Sequence, residues 1–294
     1  NSGNFMKKKN IGKLRVGLII IALGLGFMLY PLTSILFNNL ISERRMAEFQ
    51  KQESQVSTDV LGEILSKAIS YNDELDDEAE GVVDPFDVEN YSTVNPLDYG
   101  DGDVFGYISI PKIDESLPIY LGASEYHLSI GVAQVDGTNL PIGGKDTRAV
   151  IAGHRGYTTH RIFKNLNKME PGDIITLSVL GDVLEYEMYD SEIIKPSEYE
   201  KLAVVPGEDT LTLLTCTPFL IGTERLLINA VRINAPEESA EGVEFTPVNE
   251  APVIKASQNP SKSVVLEKYA LMGIVGILWI TLLAVVIRFF RTFR

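Results

Sequence analysis

The chain has 294 residues with 40 acidic against 26 basic side chains, a net charge of −14, so it lacks the basic surplus that neutralises phosphates, and nucleic acid is excluded as a partner. Its single cysteine excludes an internal disulfide. With three histidines and no His-x-x-His or Cys-x-x-Cys spacing, soft ligands are too few for a metal site, and neither metal nor cofactor is expected.

Residues 1–15 carry Lys7, Lys8, Lys9, Lys13 and Arg15, and an apolar run, VGLIIIALGLGFMLYPL, follows over 16–32. A second run, YALMGIVGILWITLLAVVI at 269–287, holds 19 residues without a charge and is followed by Arg288, Arg291 and Arg294 in the tail 288–294. Each is long enough to cross the roughly 30 Å apolar layer of a bilayer as a helix. The basic flanks lie outside the span at both ends, which predicts two cytoplasmic termini and an extracellular middle, in a multi-pass protein of the cell membrane. A cleaved signal peptide is the alternative for the first run, but no small-x-small cleavage site follows it.

Between the spans, residues 33–103 read as an N-terminal helix and a linker. Val60, Leu61, Ile64, Leu65, Ala68 and Ile69 recur at helical spacing and predict an amphipathic helix over 49–71. The stretch 72–103 is acidic, aperiodic and rich in proline and glycine, as a solvated linker is. Within it VVDPFD, with apolar Val82, Val83 and Phe86 around a stiff Pro85, reads as a segment that docks. From 104 to 233 the texture changes to short strands, expected at 104–110, 117–122, 147–153, 173–180, 183–194, 210–216 and 224–233. Gly181-Asp182 is expected as a tight connection, and short helical turns at 124–134 and 159–168. Many short strands with few helices predict a mostly β domain closed into a barrel. Residues 234–268 are polar and proline-spaced, a stalk leading to the second span.

The chemistry-bearing residues sit at strand ends. His154 ends the apolar strand in AVIAGHRGY, and Cys216 ends TLTLLTC, with Arg225 at the start of the next strand. The short connection between those strands brings Cys216 and Arg225 to one rim. A lone thiol there serves either as a buried core residue or as a nucleophile. With an imidazole to move protons and a guanidinium to hold developing oxyanion charge, the second use is covalent acyl transfer. His127 and His160 fall in amphipathic turns and are expected to be structural or exposed.

TLLTC (212–216) resembles the TLxTC signature of the sortases, cysteine transpeptidases of Gram-positive cell surfaces. AGHRG (152–156) resembles their histidine motif, and Arg225 in ERLL their arginine. The resemblance implies a sortase-type β-barrel, with Cys216 as nucleophile, His154 as general acid and Arg225 as substrate and oxyanion clamp. It also implies that Thr215 shapes the substrate groove and that the Thr217 N–H donates to the oxyanion. YPLTSILFNN (30–39), VDPFD (83–87) and a second membrane span are similar to features of class C sortases, which polymerise pili. On that likeness Asp84, Pro85 and Phe86 form a lid, with Asp84 paired to Arg225 and Phe86 over Cys216. Glu224 stands where many members carry a histidine. The implied partners are pilin subunits with LPxTG-like C-terminal sorting signals and acceptor lysines. Anchoring of surface proteins to peptidoglycan, and a structural surface protein or pilin, are the alternatives.

Overall fold

A computed structural model describes residues 2–75, 82–87, 91, 97, 103–156, 162–234 and 259–293. The expected stalk between 235 and 258, most of the acidic linker and His160 lie outside the described residues. The chain divides into two units, one of the two apolar helices and one of everything between them.

The first unit contains most of α1 (Ser2–Glu53) and α4 (Lys262–Arg291). Ile11–Asn38 and Lys262–Arg291 are long and apolar enough to cross a bilayer, and only 11% and 6% of their most apolar windows are buried. A core helix of a soluble domain would hide that surface. Two exposed apolar spans with basic outer flanks make the chain a multi-pass membrane protein with an extracellular barrel domain. Polar side chains tie the two helices together: Arg15 donates through Nε to Thr292 Oγ1 (3.0 Å) and through Nη2 to Thr292 O (2.7 Å), and Trp279 Nε1 donates to Thr33 Oγ1 (3.3 Å).

In the second unit, α1 runs on to Glu53, past the expected end of the span, and a short break precedes α2 (Thr58–Glu74). Most of the stripe read from the sequence packs: Leu61 and Ala68 are buried, with Ile64, Leu65 and Tyr71 against the same core, whereas Val60 and Ile69 at its margins are exposed. Asn72 then clamps the chain at Leu140, its Oδ1 accepting from Leu140 N (2.7 Å) and its Nδ2 donating to Leu140 O (3.3 Å).

Eight strands close a barrel in the order β1-β2-β3-β4-β7-β8-β6-β5. They are β1 (Gly106–Ile110), β2 (Glu115–Leu121), β3 (Val132–Gln134), β4 (Thr147–Ala152), β5 (Ile174–Val179), β6 (Asp182–Ile194), β7 (Asp209–Thr217) and β8 (Glu224–Arg232). The seven strands expected from sequence are present within two residues at each end. β3 is new: its three residues follow the short helix α3 (Glu125–Ile130), where the sequence suggested only helical turns. The β5–β6 turn is centred on Leu180 and Gly181 rather than Gly181 and Asp182. Both have positive φ (50° and 84°), the geometry that matches strand twist in a two-residue hairpin. Pairing is antiparallel except for β2–β3 and β4–β7, which are parallel.

Strand alternation sorts the side chains of β4, β7 and β8 into two layers. Ala149, Ile151, Leu211, Leu213, Leu226 and Ile228 face the main core. Val150, Ala152, Leu214 and Leu227 face a second cluster, which also holds Val82, Leu128 and Leu202, with Phe86 and Tyr91 packed at its edge. Both faces of this part of the sheet are thus covered, and the second face carries the candidate site.

Candidate active site at one end of the β4, β7 and β8 rows

The register of three adjacent strands assembles the site. On the second face Val150 pairs with Thr212, which pairs with Asn229; in the next row Ala152 pairs with Leu214, which pairs with Leu227. In the row after that, Cys216 pairs with Arg225. Two residues beyond Ala152 on the β4 side is His154. The chain stays beside β7 up to that point, because Gly153 N donates to Leu214 O (3.0 Å) and Thr215 Oγ1 donates to Gly153 O (2.7 Å). Imidazole, thiol and guanidinium therefore lie at corresponding steps along one sheet edge. Thr215 is fully buried, and its hydroxyl welds the ends of β4 and β7.

Beyond Cys216 the chain passes through a cis Thr217–Pro218 bond and turns back, with Ile221 N and Gly222 N both donating to Pro218 O (3.1 and 2.9 Å). Gly222 has φ +69°, and a Cβ there would stand 3.5 Å from Cys216 Cβ and 3.8 Å from its Sγ. Glycine is required by the backbone and keeps the approach to the sulfur open. Phe219, Leu220 and Ile221 at the loop tip are exposed.

Asp84, Pro85 and Phe86 lie against this row. Arg225 donates through Nε to Asp84 Oδ1 (2.9 Å) and through Nη2 to Asp84 Oδ2 (2.5 Å), a two-pronged fork, and through Nη1 to the carbonyls of Gly222 and Glu224 (2.8 Å each). Arg225 is buried and Asp84 largely so, their side chains 7% and 10% exposed. The Phe86 ring packs at 5.5 Å from the His154 ring and beneath the Arg225 guanidinium at 5.2 Å. Its neighbours are thus the imidazole and the guanidinium. Val82, on the near side of the segment, is buried over Gly137, and Tyr91, on the far side, hydrogen-bonds the Asp136 carboxylate.

Burial sets the protonation of the two reactive groups. It pushes the Cys216 thiol above its ordinary value; Arg225 and Arg155 pull the other way, and Asp84 adds to the rise. Burial also holds the His154 imidazole below its ordinary value, against a weaker upward pull from Glu125. At neutral pH the pair is therefore mostly neutral thiol and neutral imidazole.

Arg155, which has no assigned part in the motif reading, also reaches the site. Its Nη1 donates to Thr217 Oγ1 (2.7 Å), and its Nε is buried without a hydrogen-bond partner among the described residues. A buried unmatched donor typically costs about 1–3 kcal/mol. The signal for it in the sequence was its position directly after His154. His127 is elsewhere: its Nδ1 donates to Gly122 O (2.7 Å) and its ring stacks on Tyr120 (5.0 Å). Among the described residues no three His, Cys, Asp or Glu side chains converge as a metal site.

The sortase domain family matches residues 108–233. Among solved structures, sortase C of Streptococcus pneumoniae is 37% identical with a TM-score of 0.59, the likeness covering 65% of this chain and 97% of that one. The pilus-related sortase C of Group B Streptococcus is 33% identical with a TM-score of 0.59, covering 64% of this chain and 96% of that one. Sortase A of Streptococcus agalactiae serotype III (strain NEM316) is 30% identical over 130 residues, which is 43% of this chain and 52% of the relative. The chain spans about half the length of the curated relatives it matches. A closed eight-stranded barrel, a TLxTC strand end and near-complete coverage of solved sortase C structures together establish that the chain belongs to the sortase family.

Proposed function

We propose that the protein is a cysteine transpeptidase that joins pilin subunits, with Cys216 as nucleophile, His154 as proton carrier and Arg225 as substrate and oxyanion clamp. The observation that carries this is the pairing of Cys216 with Arg225 in the same edge row as His154. In the first half-reaction the thiol proton passes to the imidazole, and sulfur attacks the carbonyl carbon that ends the threonine of an LPxTG-like sorting signal. Arg225 and the Thr217 N–H hold the charge on the carbonyl oxygen. The imidazolium then protonates the departing glycine amine, leaving a thioester on Cys216. In the second, the neutral ε-amine of a lysine on the next pilin attacks the thioester and gives up its proton, and an isopeptide bond forms as the thiol is restored.

The neutral resting pair fits this cycle, because proton transfer generates the reactive thiolate when substrate is bound. Thr215 shapes the groove through its bond to Gly153, and Asp84, Pro85 and Phe86 act as a lid that withholds Arg225 until a substrate competes for it. Two membrane spans favour substrates that are themselves membrane-held, since tethering raises effective concentration. Support for pilins over peptidoglycan as the acceptor comes from the relatives: the S. pneumoniae sortase C is described with pilin substrate specificity, and the Group B enzyme as pilus-related.

The test is Cys216→Ala in the full-length protein, expressed with a pilin bearing a sorting signal and an acceptor lysine. Polymer and signal cleavage should both be lost while the barrel stays folded. Polymer formed in cells carrying only that variant would overturn the proposal.

A further inference from the structure

Two guanidiniums approach Cys216 from opposite strands, and they differ in what else they hold. Arg225, from β8, has its charge matched by the Asp84 carboxylate. Arg155, from the end of β4, has among the described residues a single hydrogen bond, to the neutral Thr217 hydroxyl, and no carboxylate. Its buried Nε has no partner there. The backbone is built to send it across: Gly156 sits at φ +89° and its N–H donates to His154 O (2.8 Å), a tight turn whose middle residue is Arg155. Thr217, the acceptor, directly follows the cysteine and is buried.

We infer that Arg155 is a positioning residue of the Cys216 site: it fixes Thr217 and supplies the unneutralised positive charge beside the sulfur while Asp84 occupies Arg225. This rests on the proposal that Cys216 is the nucleophile. While the lid segment is in place, Arg225 and Asp84 act on the thiol in opposite senses, so that Asp84 offsets part of what Arg225 contributes. Arg155 acts in one sense only and stabilises the thiolate. Among the described residues, the other charged or titratable groups around the site are His154 at the end of β4, Glu125 beyond it, Lys164 against Gly156, Asp87 on the lid side of Arg225, and exposed Glu224 on β8. The unmatched Nε–H is left for negative charge that forms at Cys216. When substrate displaces Asp84 and engages Arg225, Arg155 is unchanged, so the nucleophile keeps one cation through the whole cycle.

The experiment uses the full chain in lipid nanodiscs, where Cys216 is the sole thiol, and follows its alkylation by iodoacetamide between pH 6 and 10. Arg155→Gln keeps an amide donor for Thr217 but no charge, and Arg155→Lys keeps the charge. The glutamine variant should shift the midpoint of alkylation to higher pH and slow the reaction about three-fold at pH 7.5, through a smaller thiolate fraction. The lysine variant should keep the parent midpoint. In an Asp84→Ala background, where Arg225 is no longer compensated, the effect of Arg155→Gln should fall below about two-fold. An unchanged midpoint in Arg155→Gln, or a lysine variant shifted as far as the glutamine one, would overturn the inference. Should either variant fail to fold, Arg155→Met in the Asp84→Ala and parent backgrounds reads the same difference. Alkylation needs no turnover, so signal cleavage by Cys216→Ala would remove the transpeptidase proposal without touching this result.

Discussion

Arg148 and Arg225 are both buried, on the same face of the β4, β7 and β8 sheet, yet they are held in opposite ways. Arg148 donates to Thr212 Oγ1 (2.9 Å) on β7, Asn229 Oδ1 (2.8 Å) on β8 and Ala203 O (2.9 Å) in the β6–β7 connection, all neutral acceptors. Burial lowers its pKa, and Tyr189 and Glu192 offset that from further away. Arg225 is held instead by a carboxylate on a segment outside every strand. An arginine with neutral barrel partners keeps them for as long as the barrel is folded. One matched by a carboxylate on a separate segment has a partner that can leave, exposing the guanidinium to whatever competes. The first arrangement builds a scaffold, and the second is what the proposed lid would need.

The contrast breaks most plainly at Arg148. Arg148→Met removes three buried hydrogen bonds, leaving Thr212 and Asn229 only the bond from Thr212 Oγ1 to Asn229 Oδ1 (3.0 Å), and should lower stability by about 3 kcal/mol. Thermal unfolding of the full chain in nanodiscs measures this; a loss below about 1 kcal/mol would show the guanidinium dispensable and erase the difference between the two arginines. At the other pole, Asp84→Ala with Phe86→Ala should cost about 1 kcal/mol or less. The lid simply leaves and water reaches Arg225, so no bare charge is trapped as when a buried pair loses one partner in a rigid core. The same variant should speed Cys216 alkylation about ten-fold, since a barrier of this kind is worth roughly 1.4 kcal/mol per decade. Equal alkylation rates in parent and variant would end the lid proposal.

Glu53 offers a smaller version of the Arg148 arrangement, a buried charge with neutral partners. Its carboxylate accepts from the amides of Gly181 and Leu180, but burial prevails and raises its pKa to about 6, with Asp182 adding to the rise. Because the folded value exceeds the unfolded one, the folded state binds the proton more tightly. The ionised carboxylate therefore weighs against the docked helix above about pH 6, and the penalty vanishes as pH falls to the unfolded value of about 4.3. Glu53→Gln should stabilise the protein by about 1 kcal/mol at pH 7.5 and leave it unchanged at pH 4.5. An identical gain at both values would assign the effect to packing rather than charge.

Most strands were legible because they are apolar runs bounded by glycine, proline and acids. β3 was not: three residues following a helical turn carry no period of their own, and only pairing with β2 and β4 makes Val132–Gln134 a strand. The orientation of Cys216 was also illegible, for the same reason that Leu214 broke the alternation. β7 is buried on both faces, Leu211 and Leu213 in one cluster and Leu214 in the other, so hydrophobicity says nothing about direction. The Asp84–Arg225 contact followed from a motif likeness, whereas its burial on both sides did not, since it depends on Phe86 and the second cluster closing around it. Tyr91, Asn72 and Arg155 act through polar bonds to backbone or side chains distant in sequence, a kind of contact that leaves no periodic trace.

The parallel pairing of β4 with β7 has a consequence for biosynthesis. The residues that weld the two strand ends, Gly153 and Thr215, are 62 positions apart, and β5, β6 and their turns intervene. A chain emerging from its N-terminus presents His154 long before Cys216, and Arg225 comes later still on the next strand. Contacts this far apart in sequence form late, because the intervening loop must first be closed against its entropy. Until β7 and β8 have been delivered, the barrel has a gap where the site will stand. His154, Cys216 and Arg225, the trio proposed above, thus come together only in the act of completing the fold.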